Sequence, residues 1–289
     1  MSVFQVILNG IINGAVIATC SLSFSFIYFS TRIFHLAWAL VFVMASYTFY
    51  TLVSVVELPF YISLILTIIL TATFSWLINK VYILFEQRGS SRNMILIVSI
   101  AILIAGTNVF MMIFGEGSIL LTSEVSESFS LNKIVVTYNK VEQFVLPLTI
   151  TILTLIWITK SSRGIEIRGY RDNEKLLGVL GFNLLKVRDS VFLLSGALVA
   201  VPACLLAFDR GVEPQIGMPI LLNAVVAMII GGLGNFWAPV VGGFLIGLVQ
   251  ALSNYYFEPK WESLVTFSIL ILFLIFLPKG LFPQHERAV

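Results

Sequence analysis

The sequence predicts an all-α, polytopic membrane protein with about eight to nine transmembrane segments. Hydrophobic residues make up 58% of the 289 residues, charged residues make up 11%, and the mean hydropathy is +1.00. A soluble domain carries roughly a quarter charged residues, so about half of the charge that a water-facing surface needs is missing. The chain is long enough for about eight spans of ~20 residues together with their loops.

Apolar runs of spanning length follow one another along the chain, and no soluble domain separates them. They lie near residues 4–28, 36–56, 59–79, 94–115, 144–159, 190–208, 239–256 and 262–278. A further, shorter run near 218–233 is interrupted by glycine, which predicts a short or broken helix. Residues 1–289 are therefore predicted to form a single transmembrane domain.

Lysine and arginine are distributed unevenly between the two sets of predicted loops. One set holds 13 of the 17 basic residues, and the other holds Lys133, Lys140, Arg210 and Lys260. The basic-rich set consists of the segments 29–35, 79–93, 160–189 and 278–289. Because cytoplasmic loops are enriched in these residues, this set is predicted to be cytoplasmic. The C-terminus then lies inside and the N-terminus outside.

The longest predicted external loop covers residues 116–142. It contains a short strand-like run from Lys133 to Asn139. Its acidic residues are Glu116, Glu124, Glu127 and Glu142. Two interpretations remain open, a solvated connector and a docking surface for a periplasmic partner.

The side chains present do not indicate an enzyme. The sequence has no Gly-x-x-x-x-Gly-Lys-Ser/Thr phosphate loop, and two histidines, His35 and His285, do not complete a catalytic set or a metal cluster. Cys20 and Cys204 fall within predicted spans and are interpreted as small buried apolar residues. No catalytic residue, metal site or nucleic-acid partner is therefore predicted.

The large polar residues inside the predicted spans are neutral. No span has a central Asp, Glu, Lys or Arg, which argues against a proton- or sodium-coupled pump because such pumps use buried ionisable groups. An amide- and hydroxyl-lined path suits a zwitterionic or uncharged solute. Asn13 and Asn223 are candidates for that path, and each also fits an interhelical hydrogen bond. His35 is a third candidate, near the inner boundary, where a lone histidine is more often a satisfied interfacial residue.

The segment 160–189 is a charged island in an otherwise apolar chain. Residues 164–180 combine helix-forming residues with apolar positions and interleaved charges, which predicts a short amphipathic helix on the membrane face. Gly178 and Gly181 can end this helix, and Asn183 can cap the next one. Such a helix would offer a surface to a soluble protein. The other interpretation is an ordinary positive-inside loop that only sets topology.

The short run near 218–233 ends in three closely spaced glycines, Gly231, Gly232 and Gly234. Glycines at these positions can interrupt a helix within the membrane and expose backbone groups that line a polar path or gate. Alternatively, they allow two neighbouring helices to pack closely.

Two stretches resemble the branched-chain amino acid permease family, whose members are membrane subunits of ABC importers. Residues 163–183 are similar to that family's cytoplasmic coupling loop, and residues 227–243 are similar to its Gly-Gly-Leu-Gly stretch. The matching positions in the first stretch are Gly164, Arg168, Asp172, Leu177, Gly178, Gly181 and Asn183. The resemblance implies that the first five of these residues couple the chain to the ATPase.

A third stretch, Ile33 to Trp38, is similar to the start of the family's second span, where Asn-Phe-Ala-His-Gly is usual. The asparagine, histidine and glycine of that pattern are all changed here. Weaker similarities lie at 86–100 and 277–282, so the resemblance covers nearly the whole chain.

The resemblance implies a permease subunit of an ABC importer in the cell inner membrane, working by alternating access. The implied partners are a second permease chain, two cytoplasmic ATP-binding subunits that hold ATP and Mg, and a periplasmic or extracellular solute-binding protein. The chain itself is then expected to bind no cofactor and to transport branched-chain or other amino acids. Urea and short amides are the alternative solutes. A stand-alone secondary carrier is the alternative from another class.

Overall fold

The structure is a computed structural model that describes residues 3–121, 128–131 and 134–282. The described residues contain eleven α-helices and one β-hairpin. The helices are α1 Val3–Thr31, α2 Trp38–Tyr50, α3 Phe60–Gln87, α4 Arg92–Phe114, α5 Tyr138–Lys160, α6 Ser162–Asp172, α7 Glu174–Val179, α8 Leu184–Arg210, α9 Gly217–Gly231, α10 Ala238–Tyr256 and α11 Glu262–Phe276. A π-helical turn at Thr51–Val55 extends α2, and a 3₁₀ turn at Pro259–Trp261 precedes α11.

Seven of these helices are long and apolar enough to cross a membrane. They are α1, α2 with its π turn, α3, α4, α5, α8 and α10. The apolar helices α9 and α11 have 15 residues each, which corresponds to about 22 Å at 1.5 Å per residue. Together these nine helices confirm the predicted all-α polytopic class. The segment near 218–233 is a short, continuous helix rather than a broken one.

Several spans extend well beyond their apolar runs, among them α3 and α8. The sequence predicts a span at 59–79, whereas α3 continues to Gln87, and the run at 190–208 begins within α8, which starts at Leu184. Hydropathy windows end where charged residues begin, but helical hydrogen bonding continues through them. The extra turns of α3 and α8 carry charged residues that pair with one another, as described below.

The predicted external loop contains a small antiparallel hairpin. Strand β1 (Ser128–Leu131) pairs with β2 (Ile134–Thr137), with Ser128 opposite Thr137 and Leu131 opposite Ile134. This confirms strand structure for part of the strand-like run. Glu124, Glu127 and Lys133 lie outside the described residues.

The chain divides into two compact units. The first unit consists of residues 1–25, 124–151 and 222–289, and the second consists of residues 26–123 and 152–221.

Within the first unit, α1 and α10 approach each other through glycines on both helices. A Cβ added at Gly247 would lie 2.3 Å from the Cα of Gly14, and one at Gly243 would lie 2.4 Å from the Cα of Ala18. Gly10 and Gly14 on α1, like Gly243 and Gly247 on α10, are four residues apart, the spacing of a small-xxx-small packing motif. Beside this crossing lies an apolar cluster formed by Ile17, Val226, Ala227, Ile230 and Ile246.

Within the second unit, α3 packs along α8 through small polar residues. One face of α3 carries a buried hydroxyl or amide at every fourth position: Ser63, Thr67, Thr71, Ser75 and Asn79. The Ser75 hydroxyl donates to the Phe192 carbonyl at 2.8 Å. A Cβ at Gly196 of α8 would meet the Cβ of Ser75 at 2.7 Å, so only glycine allows this approach.

Candidate functional site

The charged island forms two helices instead of the single helix that the sequence predicts over residues 164–180. The break falls at Asn173, whose backbone is extended (φ −158°, ψ 96°) and whose side chain accepts a hydrogen bond from the Leu176 N–H at 3.0 Å. Asparagine competes in this way with helical hydrogen bonding and favours a cap. Asn173 therefore ends α6 and begins α7.

Two of the predicted coupling residues fasten α6 to the end of α5. The Ser161 hydroxyl accepts from the Gly164 N–H at 2.9 Å and caps α6. A Cβ at Gly164 would lie 2.2 Å from the Ile158 carbonyl oxygen, so a larger residue has no room. The Arg168 guanidinium donates to the Thr159 carbonyl at 3.1 Å. It thereby satisfies a carbonyl at the C-terminal end of α5, where a cation is also favourable.

The other predicted coupling residues occupy different environments. Leu177 is buried beneath α6, and a Cβ at Gly169 would lie 3.2 Å from its Cδ1. Gly178 is half-buried against Leu184. Asp172 is exposed and pairs with Arg171 at 2.8 Å. The structure therefore brings the five residues into one island but not onto one continuous surface.

The end of α7 and the turn that follows it expose several apolar side chains. Val179 and Leu180 are 84% and 65% exposed at the end of α7. The exposed apolar residues of α7 and of the turn into α8, called the apolar patch below, are Leu176, Val179, Leu180, Phe182 and Leu185. Large exposed apolar patches mark contact surfaces for proteins or membranes. Leu176, Val179 and Leu180 lie within the segment 164–180 that is predicted to be amphipathic, whereas Phe182 and Leu185 lie beyond it.

The turn between α7 and α8 follows the prediction. Gly181 adopts a left-handed conformation (φ +86°), and its N–H bonds the Gly178 carbonyl at 3.0 Å. The Asn183 side chain accepts from the Lys186 N–H at 3.1 Å and caps α8. The predicted stop at Gly181 and the restart at Asn183 are confirmed, whereas Gly178 lies inside α7.

A network of charged and amide side chains, called the inner network below, joins α3 to the first turns of α8. Arg188 is only 7% exposed, donates through Nε to Asn79 Oδ1 at 2.8 Å, and forms an ion pair with Glu86. Asp189 accepts from Asn79 Nδ2 at 2.8 Å and from Lys80 Nζ at 2.7 Å. Lys80 and Arg188 contributed to the predicted topology only as basic residues of the segments 79–93 and 160–189. The sequence feature that could have predicted this network is an amide or a carboxylate beside a basic residue at the ends of two spans, Asn79-Lys80 and Arg188-Asp189.

Tyr170 of α6 lies close to the inner network. It is buried and donates to Glu174 Oε1 at 3.1 Å. Burial raises the pKa of the Tyr170 hydroxyl, the nearby Glu174 carboxylate raises it further, and Arg188 acts in the opposite direction. The hydroxyl therefore remains a hydrogen-bond donor at neutral pH.

His35 lies in a packed aromatic environment in the second unit. Its Nδ1 is 2.7 Å from the Tyr82 hydroxyl, and its ring meets the Phe192 ring edge-on, with centroids 5.4 Å apart. Its Nε2 is buried without a hydrogen-bond partner among the described residues. Burial lowers the pKa of His35 to about 3, so the imidazole is neutral. The following Ala37 N–H donates to the Ser99 hydroxyl at 2.8 Å, which fixes this loop to α4.

The two candidate asparagines differ in their contacts. Asn13 of α1 donates to Gln250 Oε1 at 3.0 Å, and Gln250 donates in turn to Thr266 Oγ1 at 3.3 Å. This ladder joins α1, α10 and α11 and matches the interhelical alternative for Asn13. Asn223 of α9 is half-buried, and its side chain has no hydrogen bond to any described residue.

The glycine stretch after α9 is a tightly packed backbone junction. Gly231 ends the helix, and a Cβ there would lie 2.0 Å from the Ala238 carbonyl oxygen of α10. Gly232 has φ +104°, and Gly234 lies in the turn that follows. The N–H groups of Leu281 and Phe282 donate to the carbonyls of Ile230 and Gly231, both at 2.9 Å. These contacts support the packing alternative for Gly231 and Gly232.

Two open grooves lie on the surface of the second unit. One, of about 600 Å³, is mainly apolar and lies between α5 and α8, with Trp157, Lys160 and Leu194 in its lining. The other, of about 470 Å³, lies between α4 and residues 213–219. None of the predicted path residues lines either groove. Among the described residues, no group of three or more His, Cys, Asp or Glu side chains is placed to hold a metal ion.

Comparison with known proteins gives matches over nearly the whole chain. A family model described as the permease component of branched-chain amino acid transport systems matches residues 6–274. The high-affinity branched-chain amino acid transport system permease protein BraD of Pseudomonas aeruginosa is 26% identical over 98% of this chain and 96% of that protein. The permease protein LivH of Salmonella typhimurium is 27% identical over the same shares. No solved structure gives a significant match.

Proposed function

Because the chain belongs to the family of permease components of branched-chain amino acid transport systems, we propose that it is one membrane subunit of an ABC importer for branched-chain amino acids. The match over residues 6–274 is the observation that carries this proposal. The named relatives are permease subunits of such systems, and their alignments cover 96% of each of them. The seven long apolar helices suit a multi-pass subunit of this kind.

The island α6–α7 is the proposed contact with the ATP-binding subunits. Two such subunits would hold ATP and Mg and hydrolyse the nucleotide, so the chain itself needs no cofactor and is not an enzyme. The apolar patch supports this role, because it exposes Val179 and Leu180 beside charged side chains. Arg168 and Gly164 fasten the same island to α5, so pressure on the patch would reach a membrane span directly.

The proposed orientation in the cell inner membrane places the island and the C-terminus in the cytoplasm. The excess of lysine and arginine in the loops on that side supports it. The opposite side would then present residues 116–142 to a periplasmic or extracellular solute-binding protein. A second permease chain would complete the path, and helices with exposed apolar surfaces such as α4 suit contact with it or with lipid.

Branched-chain amino acids are the proposed solutes, since the relatives' names give them. The neutral polar residues of the spans suit a zwitterion, which needs hydrogen-bonding groups rather than a fixed countercharge. The changed residues of the Ile33–Trp38 stretch favour testing urea and short amides beside leucine.

The test begins with the tagged chain purified in mild detergent and its partners identified by mass spectrometry. Recovery of ATP-binding subunits and a second permease is the expected result. The purified assembly is then placed in vesicles with a solute-binding protein, and uptake of labelled leucine, urea and acetamide is measured with and without ATP. Recovery of the chain alone, with uptake that needs no ATP, would replace the importer by a secondary carrier.

A further inference from the structure

A buried arginine at the start of α8 occupies an energetically demanding position. Arg188 is 7% exposed, and one of its terminal nitrogens, Nη2, has no hydrogen-bond partner among the described residues. Removing a charged group from water is energetically costly, and this cost is offset only by close pairing with other polar or charged groups. Apolar residues could join α3 to α8 without this desolvation penalty, so stability alone does not explain an arginine here.

The partners of Arg188 lie on one face of α3. Asn79 and Glu86 both contact it, and Tyr82 lies between them on the same face, because these positions are i, i+3 and i+7. Asp189 holds Asn79 from its other side and also holds Lys80. The face of α3 is thus fixed to the second turn of α8 by charge-assisted hydrogen bonds, which are stronger than neutral ones.

The same face of α3 reaches the loop that precedes α2. The Tyr82 hydroxyl bonds His35 Nδ1 at 2.7 Å, and the Phe192 ring of α8 lies edge-on to both rings. Two residues after His35, the Ala37 N–H is bonded to Ser99 of α4. The inner network therefore continues from α8 through α3 to residues 32–37.

On its other side, the inner network meets the island. α6 packs against α8, and buried Tyr170 lies within electrostatic reach of both Arg188 and Glu86. The Tyr170 hydroxyl is bonded to Glu174 of α7. Arg188 thus stands where α3, α6 and α8 meet.

We propose that Arg188 is the positioning residue that makes the island α6–α7, the inner end of α3 and the loop 32–37 move as one body. The role rests on the proposed function, in which ATP-binding subunits displace the island. Without the arginine, the island would move and the spans would follow incompletely. Hydrolysis would then continue, but less solute would be transported for each ATP.

The principal test compares Arg188→Gln with Lys186→Gln in the reconstituted assembly. Lys186 is exposed, lies two residues away, and loses the same charge without touching the inner network. We expect Arg188→Gln to keep basal ATP hydrolysis while the ratio of solute transported to ATP hydrolysed falls about tenfold, within the usual range of coupling between sites. Lys186→Gln should retain the parent ratio. An unchanged ratio in Arg188→Gln overturns the proposal, even if its thermal stability falls.

Exchanging the charges of Arg188 and Glu86 provides a second test if Arg188→Gln assembles poorly. Arg188→Glu and Glu86→Arg should each lower the transport ratio, and the double variant should recover part of it because the ion pair is rebuilt in reverse. Failure of the double variant to exceed both single variants would show that the Arg188–Glu86 pair does not act as a unit.

Hydrogen exchange on the purified full-length chain tests the role of Arg188 independently of the proposed transport function. Arg188→Gln should raise exchange at the amides of α6 and of residues 32–37, whether or not an ATPase is present. If the parent assembly shows no solute-stimulated hydrolysis, the proposed function fails and exchange alone decides the linkage. Faster exchange confined to the first turn of α8 would overturn the role of Arg188.

Discussion

His35, in the loop before α2, illustrates how surroundings fix the charge of a single residue. The imidazole has no contact with solvent and lies against the aromatic rings of Tyr82 and Phe192. Burial penalises the charged form and lowers the pKa of His35 to about 3. The folded protein therefore keeps this residue neutral under conditions in which an unfolded chain would bind a proton.

Acidification should consequently destabilise the fold through His35. The unfolded histidine has a pKa near 6.5 and takes up a proton first, so stability is complete above about pH 6.5 and falls towards the folded pKa, by up to about 1.4 kcal/mol per pH unit. Thermal midpoints of the purified chain should drop more between pH 7.5 and 5.0 in the parent than in His35→Gln. Glutamine can still bond Tyr82, and all other titrating groups are shared. Equal drops in the thermal midpoint of both proteins would contradict the conclusion that His35 is buried in its neutral form.

Arg168 bonds the island to α5, and a substitution there tests whether this residue is needed for transport rather than for folding. Arg168→Glu removes the hydrogen bond to the Thr159 carbonyl and places a negative charge at the negative end of α5. We expect the variant to reach the membrane and to retain about a tenth or less of the parent uptake, since coupling free energies are of this size. Uptake in vesicles, normalised to protein content, measures this. Arg88→Glu makes the same charge change outside the island and should retain uptake, whereas normal uptake by Arg168→Glu would remove Arg168 from coupling.

At the scale of elements, the apolar runs predicted the existence of the membrane helices correctly. They predicted the ends of those helices less well. Runs of about 20 residues are unambiguous in lipid, but α3 and α8 continue through charged residues that pair with each other, such as Lys80 with Asp189. Asn173 divided the island because its side chain caps α7. Long-range pairing and local capping of this kind do not appear in a hydropathy window.

The crossing of α1 and α10 depends on glycine. A methyl group at Gly247 would meet the backbone of Gly14 at 2.3 Å, and backbone atoms cannot rotate away as a side chain can. Gly247→Ala should therefore destabilise the protein by about 1–3 kcal/mol, the usual cost of overpacking. The thermal midpoint in detergent measures the effect. Gly117→Ala is the control, since its added methyl group meets no atom within 4 Å, and similar midpoints for both variants would contradict the close crossing.

The apolar patch provides a separate prediction for the island. Val179 is 84% exposed, so Val179→Glu should leave folding unchanged, because surface substitutions usually alter stability by less than about 0.5 kcal/mol. It should reduce recovery of ATP-binding subunits with the tagged chain, since a carboxylate would be desolvated in the contact. Leu120→Glu is the matched control, an exposed apolar residue in the predicted external loop. Full recovery of the ATP-binding subunits with Val179→Glu would place their contact elsewhere.

At the scale of the whole molecule, composition predicted the all-α membrane class, and motif resemblance predicted the family. The roles of individual residues followed less directly, because a side chain's contacts depend on which helices meet. Asn13 is a candidate for the path by type, yet its amide is bonded to Gln250, which lies 237 positions away. The four-residue spacing of Gly10 and Gly14 is typical of close helix packing. Only the structure shows that α10 is the helix they contact.

The orientation of the molecule can be tested with single cysteines, since both native cysteines, Cys20 and Cys204, are buried and should react little. Val179→Cys and Gly117→Cys place thiols on opposite predicted sides of the membrane. A membrane-impermeant maleimide should label Val179→Cys in inside-out vesicles and Gly117→Cys in intact spheroplasts, because 13 of 17 basic residues lie in the segments predicted to share the island's side. The parent chain reports background labelling. Exchanged labelling patterns would invert the topology and remove the island from the reach of any cytoplasmic ATPase.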